Sequence, residues 1–311
     1  MMNSVKKEKG KKLNKKSIDN LFVLSVLIIP LISFAIFYVY VNLNSFVLAF
    51  QSVDIYGNYE WVGLGNIKEF LQGLQGDSRV GLSIKNSLIY WSTSFFISMP
   101  LYLLFSYYVY KKNFGHSMFF IIVMLPNIVA SFVYSLVYKM FVDAALPSFM
   151  ATQGFANFPS LIYDDRTNFG NNIFYSIWLS FGTSTLVYTN AMRGIDDEII
   201  ESAQLDGANN FYEFFFVVLP LIWPTISTFV ITGVTSIFTA SGSLILFYNM
   251  GAPTKLWGFS YYITYTVKTA MGSDFSSYPA VAASGLCVTL VTLPVVFFVK
   301  WLCNKLDRTE A

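Results

Sequence analysis

The sequence has little charge, one histidine and two cysteines. Asp, Glu, Lys and Arg together make up 12% of the 311 residues, about half the usual fraction in a soluble domain. One His and two Cys leave almost no ligands for a zinc site and no thiol–imidazole pair for nucleophilic catalysis. Cys287 and Cys303 stand 16 residues apart, about 24 Å along a helix, which is too far for a disulfide. A phosphate-binding G-x-x-x-x-G-K-[ST] segment is also missing.

Apolar residues are abundant instead. They make up 55% of the chain and aromatic residues 18%, with a mean hydropathy of +0.53. An apolar run of about 20 residues can span a bilayer as a helix. Six uncharged runs reach that length, at about 21–43, 86–110, 117–138, 172–192, 219–247 and 280–299. The sequence therefore predicts an all-α polytopic membrane protein with six transmembrane helices.

The basic residues predict how these helices are oriented. Six spans place both termini on one side, and that side carries 13 of the 20 Lys and Arg residues. Because basic residues concentrate in cytoplasmic loops, both termini are expected to be cytoplasmic. The chain then divides into a Lys-rich cytoplasmic tail over 1–20, a six-span domain over 21–302 and a cytoplasmic C-terminal tail over 303–311.

The loop between spans four and five, residues 193–218, has an unusual charge pattern for a cytoplasmic loop. It contains six acidic residues and a single base, Arg193, so an anionic lipid surface is expected to repel it. Asp196 or Asp197 can cap a first short helix. Asp206-Gly207 is a turn signal that ends this helix.

A second short helix is predicted after that turn. Asn210 can cap it, with Glu213 completing a capping box. An apolar stripe follows at helical spacing, made up of Phe211, Phe214, Phe215 and Val218. The pattern favours an amphipathic helix–turn–helix that docks onto a protein, and the alternative is an ordinary connector between two spans.

The same loop carries a family motif. Glu201-Ser202-Ala203-Gln204-Leu205-Asp206-Gly207-Ala208, followed by Val217-Val218-Leu219-Pro220, closely resembles the E-A-A-x3-G-x9-I-x-L-P loop of ABC importer permeases. Ser202 replaces the second-position Ala and Val217 replaces the Ile. Two further segments resemble the maltose-type sugar permeases. Trp61-Val62-Gly63-Leu64-Gly65-Asn66 is similar to their V-G-L-x-N segment, and Asn249-Met250-Gly251-Ala252-Pro253-Thr254 is similar to their G-G-P loop, with Ala252 in place of the second Gly.

The resemblance implies a membrane-spanning subunit of a binding-protein-dependent ABC importer for sugars or oligosaccharides in the bacterial cytoplasmic membrane. Its partners would be a second permease in a heterodimer, two cytoplasmic ATPases and an extracytoplasmic solute-binding protein. ATP and Mg would bind on the ATPases, so the chain itself would hold no cofactor or metal and catalyse no reaction. Coupling to the ATPases would use Glu201, Ala203, Asp206, Gly207, Ala208, Phe211, Leu219 and Pro220.

Two other function classes are open to a polytopic membrane protein. An ion-gradient-driven secondary transporter usually places an ionisable residue near mid-membrane. A membrane-embedded enzyme needs catalytic carboxylates, His or metal ligands at the same depth. The interiors of the six runs are essentially free of Asp, Glu, Lys and Arg, which disfavours both classes.

Neutral polar residues within the spans are candidates for sugar contact. Sugar hydroxyls leaving water need replacement hydrogen-bond partners. Asn127 and Ser131 stand i, i+4 in the third span and Ser180 and Thr183 stand i, i+3 in the fourth, so each pair is expected to share a helix face. The fifth span adds Ser236, Thr239 and Ser243 as a stripe, with Ser241 alongside. The alternative is that these hydroxyls hold helices together. The identity and charge of the sugar are not encoded in this pattern.

Overall fold

The computed structural model describes residues 15–307, except 55, 76–77, 156, 241–242 and 271–275, with side chains described from residue 23. Most of the Lys-rich tail and the last four residues lie outside this part, as does Ser241. The described chain is mostly helical, with one small hairpin of two antiparallel strands. This agrees with the predicted all-α class.

The first half of the chain contains eight helices and the hairpin. Helices α1 and α2 form one rod through a π-helical turn at Ala35–Tyr40, and α4 and α5 form another through Ser94–Ser98. The bounds are α1 Lys15–Phe34, α2 Val41–Leu48, β1 Gln51–Val53, β2 Tyr59–Trp61, α3 Gly65–Gly73, α4 Arg79–Thr93, α5 Met99–Tyr110, α6 His116–Ile128, α7 Ser131–Met140 and α8 Leu146–Thr152, with a π-helical turn at Phe141–Ala145 before α8.

The second half contains two long helices and several short ones. The bounds are α9 Asn168–Arg193, α10 Asp197–Leu205, α11 Asn210–Tyr212, α12 Leu219–Leu221, α13 Trp223–Thr235, α14 Leu244–Tyr248, α15 Phe259–Ala270 and α16 Ser277–Leu306. A π-helical segment, Glu213–Val218, joins α11 to α12, and a 3₁₀ turn, Thr254–Leu256, precedes α15.

Three helical stretches within the described residues are long and apolar enough to cross a membrane, Val23–Leu48, Arg79–Tyr110 and Ser277–Leu306. Two bent pairs would raise that number to five. His116–Ile128 meets Ser131–Thr152 at 106°, and Asn210–Leu221 meets Trp223–Thr235 at 72°. The first bend follows Pro126 and passes through Val129, whose backbone is extended. The second bend lies at Ile222, two residues before Pro224, which belongs to the first turn of α13.

These breaks correct two predictions about shared helix faces. Asn127 and Ser131 do not lie on one face, because α6 ends at Ile128 and α7 runs in a different direction. Ser236, Thr239 and Ser243 do not form one helical stripe, because α13 ends at Thr235 and the chain turns before α14. The spacing of these residues indicates a helix, and a helix does form in each segment. In both segments, however, the helix ends before the last residue of the predicted face.

Helices α6 and α9 approach closely at Gly182. A Cβ atom placed there would lie 2.5 Å from the Val123 carbonyl oxygen and 3.1 Å from the Met124 Cα atom. Both neighbours are backbone atoms, so they cannot move aside as a flexible side chain would. The absence of a side chain at Gly182 therefore sets the distance between these two helices.

Gly182→Ala is expected to destabilise the detergent-solubilised protein by about 1–3 kcal/mol, because the two backbones must separate. Gly285→Ala is a matched control on α16, where the added Cβ meets nothing within 4 Å. It is expected to be neutral or slightly stabilising, because Ala is the better helix former. Thermal unfolding of both variants measures the difference. Equal melting temperatures would show that the α6–α9 contact is not tight.

Candidate functional site

The loop over 193–218 forms two short helices joined by a defined turn. Asp196 is the N-cap residue of α10, as predicted, although its side chain makes no capping hydrogen bond. The backbone N–H of Gly207 donates to the Gln204 carbonyl, and that of Ala208 donates to the Ala203 carbonyl, each at 3.0 Å. This pair of bonds is the Schellman arrangement that ends a helix. Gly207 has φ +90°, a conformation that glycine adopts without steric cost.

The second helix begins one residue earlier than predicted. Asn209, rather than Asn210, is the N-cap residue, and its Oδ1 accepts a 2.8 Å hydrogen bond from the Tyr212 backbone N–H. The predicted capping box with Glu213 is therefore wrong. Glu213 falls one position beyond the box and its side chain turns into the protein, where it is 1% exposed.

The Glu213 carboxylate binds three side chains. Lys111 Nζ lies 2.9 Å from Oε1 and 3.0 Å from Oε2. The Tyr107 hydroxyl lies 3.0 Å from Oε1, and Gln204 Nε2 lies 2.9 Å from Oε2. Burial alone would raise the pKa of Glu213, but the hydrogen bonds from Gln204, Lys111 and Tyr107, with the Lys111 charge, outweigh it and lower that pKa. The stability from these bonds is therefore present at neutral pH and decreases as the pH falls through the lowered pKa.

Some apolar side chains of this loop are buried in the protein and others are exposed. Phe214 and Val218 are buried in a cluster with Tyr188, Met192 and Ile200, so the loop packs on the ends of α5 and α9. By contrast, the Phe211 side chain is 69% exposed and that of Leu205 is 88% exposed. Glu201 and Asp206 are also exposed, whereas Ala203, Ala208, Leu219 and Pro220 are half-buried. The loop is thus anchored on one side and presents acidic and apolar side chains on the other.

A cavity of about 280 Å³ lies between the α4–α5 rod, α9 and α13. Its lining combines aromatic rings with hydroxyl groups. The aromatic residues are Trp91, Phe95, Tyr102, Tyr188 and Phe229, and the hydroxyl residues other than Tyr are Ser94, Ser180, Ser184, Thr232 and Ser236. A second cavity of about 170 Å³ shares Ser94, Ser180 and Ala240 with the first. Such walls offer neutral donors and acceptors beside apolar surfaces.

Of the residues predicted to contact sugar, Ser180 and Ser236 line the first cavity. Asn127 and Thr183 instead bind each other across α6 and α9, with Thr183 Oγ1 donating to Asn127 Oδ1 at 2.7 Å. Ser131 begins α7 and Thr239 lies in the turn after α13, both exposed. Among the candidates that the structure describes, Ser180 and Ser236 therefore meet at one cavity, and Ser241 lies outside the described residues.

Sequence reasoning missed the lining residues Ser94, Ser184 and Thr232. Ser94 ends the hydroxyl run Ser92-Thr93-Ser94 in the middle of the second apolar run, a signal of the same kind as those used in spans three to five. Ser184 and Thr232 stand close in sequence to the predicted Ser180 and Ser236. That Ser184 of α9 and Thr232 of α13 face the cavity becomes apparent only when the two helices are packed together.

The loop that resembles the G-G-P segment is bound to α4 and α15 at the end of the helices opposite the 193–218 loop. Asn86 Nδ2 donates to the carbonyls of Lys255 and Trp257, and the Tyr90 hydroxyl donates to that of Leu256. The Tyr261 hydroxyl donates to the Asn249 carbonyl and accepts from the Ala252 N–H. Tyr90 also lines the second cavity, so this loop lies at the end of that cavity away from the 193–218 loop.

Comparisons with known proteins agree with this architecture. A family model described as "Binding-protein-dependent transport system inner membrane component" matches residues 141–308. The chain is 25% identical over 206 residues to the arabinooligosaccharides transport system permease protein AraP of Bacillus subtilis (strain 168), a match that covers 65% of this chain and 63% of AraP. It is 24% identical to the probable ABC transporter permease protein YesP of the same organism, with 82% of each chain covered.

A solved structure has a similar fold. It is a bacterial ABC transporter involved in the import of the acidic polysaccharide alginate, and one of its chains superposes with a TM-score of 0.76 at 20% identity. The superposition covers 93% of this chain and 98% of that chain. The same kind of transporter, solved in complex with an alginate pentasaccharide-bound periplasmic protein, gives a TM-score of 0.75 at 20% identity.

Proposed function

The chain belongs to the family of binding-protein-dependent transport system inner membrane components, and on that premise we propose that it couples ATP hydrolysis on separate subunits to the import of a saccharide. It is a transport subunit of an ABC importer and forms half of the path. The observation that carries this proposal is the 193–218 loop, whose anchored side is buried under α5 and α9 while Leu205 and Phe211 project outward.

The exposed side of that loop suits a groove on an ATPase. Leu205 supplies an apolar contact at the end of α10, and Phe211 supplies another beyond the turn. Glu201 can pair with a basic group or accept from backbone amides on the partner. The tight turn at Gly207 lets a partner backbone approach closely. The remaining partners are a second, different permease, two ATPases that hold ATP and Mg, and an extracytoplasmic solute-binding protein.

In this arrangement the chain crosses the membrane six times. The fourth crossing is α9, which is not among the five candidate stretches and whose 26 residues include several buried polar side chains, among them Asn171, Asn172 and Thr185. Both termini and the 193–218 loop face the cytoplasm, and the loops over 44–83, 142–171 and 248–279 face outward. This orientation follows from the excess of basic residues on the terminal side.

Single-cysteine labelling tests the orientation. On a background lacking Cys287 and Cys303, and in cells without the ATPase subunits, Gly207→Cys is expected to resist an impermeant thiol reagent in intact cells and to react after the cells are opened. Gly154→Cys, in an exposed turn of an outer loop, is expected to react in both conditions. Labelling of Gly207→Cys from outside would contradict the orientation.

A saccharide is the substrate class that the cavity favours. The hydroxyl groups of the cavity wall can replace the water bound to sugar hydroxyls. The aromatic rings of the wall offer faces to the apolar side of a sugar ring. Among the described lining residues of both cavities, none is Asp, Glu, Lys or Arg. Thermal unfolding of the cognate solute-binding protein with an oligosaccharide library tests this class. Stabilisation by amino acids or peptides, and by no saccharide, would refute it.

A further inference from the structure

Glu213 joins three separate parts of the protein. Its carboxylate accepts hydrogen bonds from α5, through Tyr107 and Lys111, and from α10, through Gln204. Its own backbone belongs to the segment that leads into α12 and α13. Because Lys111 bonds to both carboxylate oxygens, the pair is held in one orientation rather than swinging about a single contact.

Burial makes this junction stiff. The Glu213 side chain is 1% exposed and that of Lys111 is 20% exposed. Phe214 packs on the Tyr107 ring, with 4.8 Å between ring centroids, and Val218 beneath it is fully buried. Because the Glu213 carboxylate is almost completely enclosed, water does not readily replace a broken bond to it, so its four hydrogen bonds are expected to persist as one unit.

Helix α5, which leads to Lys111 in this junction, also lines the cavity of about 280 Å³. Tyr107 and Lys111 lie at one end of α5, and Met99 and Tyr102 of the same helix line the cavity. Tyr102 and Tyr107 are about 7.5 Å apart along the axis, since a helix rises about 1.5 Å per residue. A displacement of α10 can therefore reach the cavity wall through one short, regular length of helix.

We propose that Glu213 is a positioning residue that locks the 193–218 loop to the end of α5, so that movement of the loop is transmitted directly to the cavity wall. This inference rests on the proposed function of the chain. It adds a route of transmission through α5, separate from the chain's own continuation into α9 and α13. Without the junction the loop still meets its ATPase, but α5 no longer follows it.

The test uses the complete importer with its ATPases and solute-binding protein. Glu213→Gln keeps the shape of the side chain and removes its charge, whereas Lys111→Met removes the paired charge from a partly exposed position. Each variant is expected to reduce about tenfold the factor by which the binding protein stimulates ATP hydrolysis, with basal hydrolysis unchanged. Transport is expected to fall in parallel, because the stimulated ATP hydrolysis is what drives uptake in the proposed mechanism.

The stimulation factor is measured per assembled complex, so a loss of folding or assembly alone would not change it. Lys112→Met is the control. Lys112 is the next residue along the chain and its side chain is exposed, so this substitution removes the same charge without touching Glu213. The double variant is expected to lose no more than either single variant, as residues acting as a pair do. Normal stimulation in assembled Glu213→Gln and Lys111→Met complexes, or additive losses, would overturn the inference. A wild-type complex with neither stimulation nor saccharide uptake would refute the proposed function instead.

Discussion

Gly207→Asp is expected to abolish saccharide uptake and to weaken association of the ATPases, while the chain still inserts into the membrane. Gly207 has φ +90° and nothing lies within 4 Å of a Cβ built there. Within this chain the substitution therefore causes only backbone strain, of about 1–2 kcal/mol. The larger effect arises outside the chain, because the added carboxylate brings bulk and a negative charge to the surface that meets the ATPase. Co-purification of the ATPases and uptake in cells measure the two effects.

Gly154→Asp is the matched control for this prediction. Gly154 has φ +93° and likewise nothing within 4 Å of its Cβ position, but it lies in the loop after α8, on the opposite side of the proposed membrane. The same strain is expected there with ATPase binding intact. If Gly154→Asp loses ATPase binding as completely as Gly207→Asp, strain rather than docking explains the effect and the coupling assignment fails.

Ser180→Leu is expected to reduce uptake at least about tenfold, while the importer assembles and binding-protein stimulation of ATP hydrolysis continues. Ser180 lines both cavities. Leu would remove a hydroxyl and fill part of a space of about 280 Å³. Loss of one hydrogen bond to a substrate and loss of room for it each cost on the order of 1–3 kcal/mol. Initial uptake rates over a range of substrate concentrations measure the effect.

Ser45→Leu serves as the comparison. Both hydroxyls are exposed and bond to a carbonyl four residues earlier in their own helices, Ser45 to Val41 and Ser180 to Ser176. Ser45 lies on α2, outside both cavity linings, so its replacement is expected to leave uptake unchanged. Normal uptake by Ser180→Leu, or equal losses in both variants, would contradict the cavity assignment.

The parts of the fold predicted from sequence depend on local signals. The turn at Asp206-Gly207 and the N-cap at Asp196 were found because a positive φ requires glycine and a helix start favours a short polar residue. The role of Glu213 was missed because its partners Lys111 and Tyr107 are 102 and 106 residues away. A residue that fits a cap by spacing can equally be drawn into a buried pair, and only tertiary packing decides between the two.

The cavity was predicted in part for a similar reason. Ser180 lies in the uninterrupted helix α9, so its face could be read from the sequence period. The same rule predicts that Asn127 lies beside Ser131, yet the helix ends between them at Ile128. Pro126 signals a possible bend but not its direction or size. The bond from Thr183 to Asn127 depends on how closely α6 approaches at Gly182, which the pattern within one helix does not reveal.

The most direct measurement is uptake of a labelled saccharide into proteoliposomes that contain this chain, its partner permease and the ATPases, with the loaded solute-binding protein outside. Uptake is expected only when ATP and Mg are enclosed, and it is expected to continue after ionophores collapse every ion gradient. Uptake driven by a proton or sodium gradient without ATP would contradict the account and favour a secondary transporter.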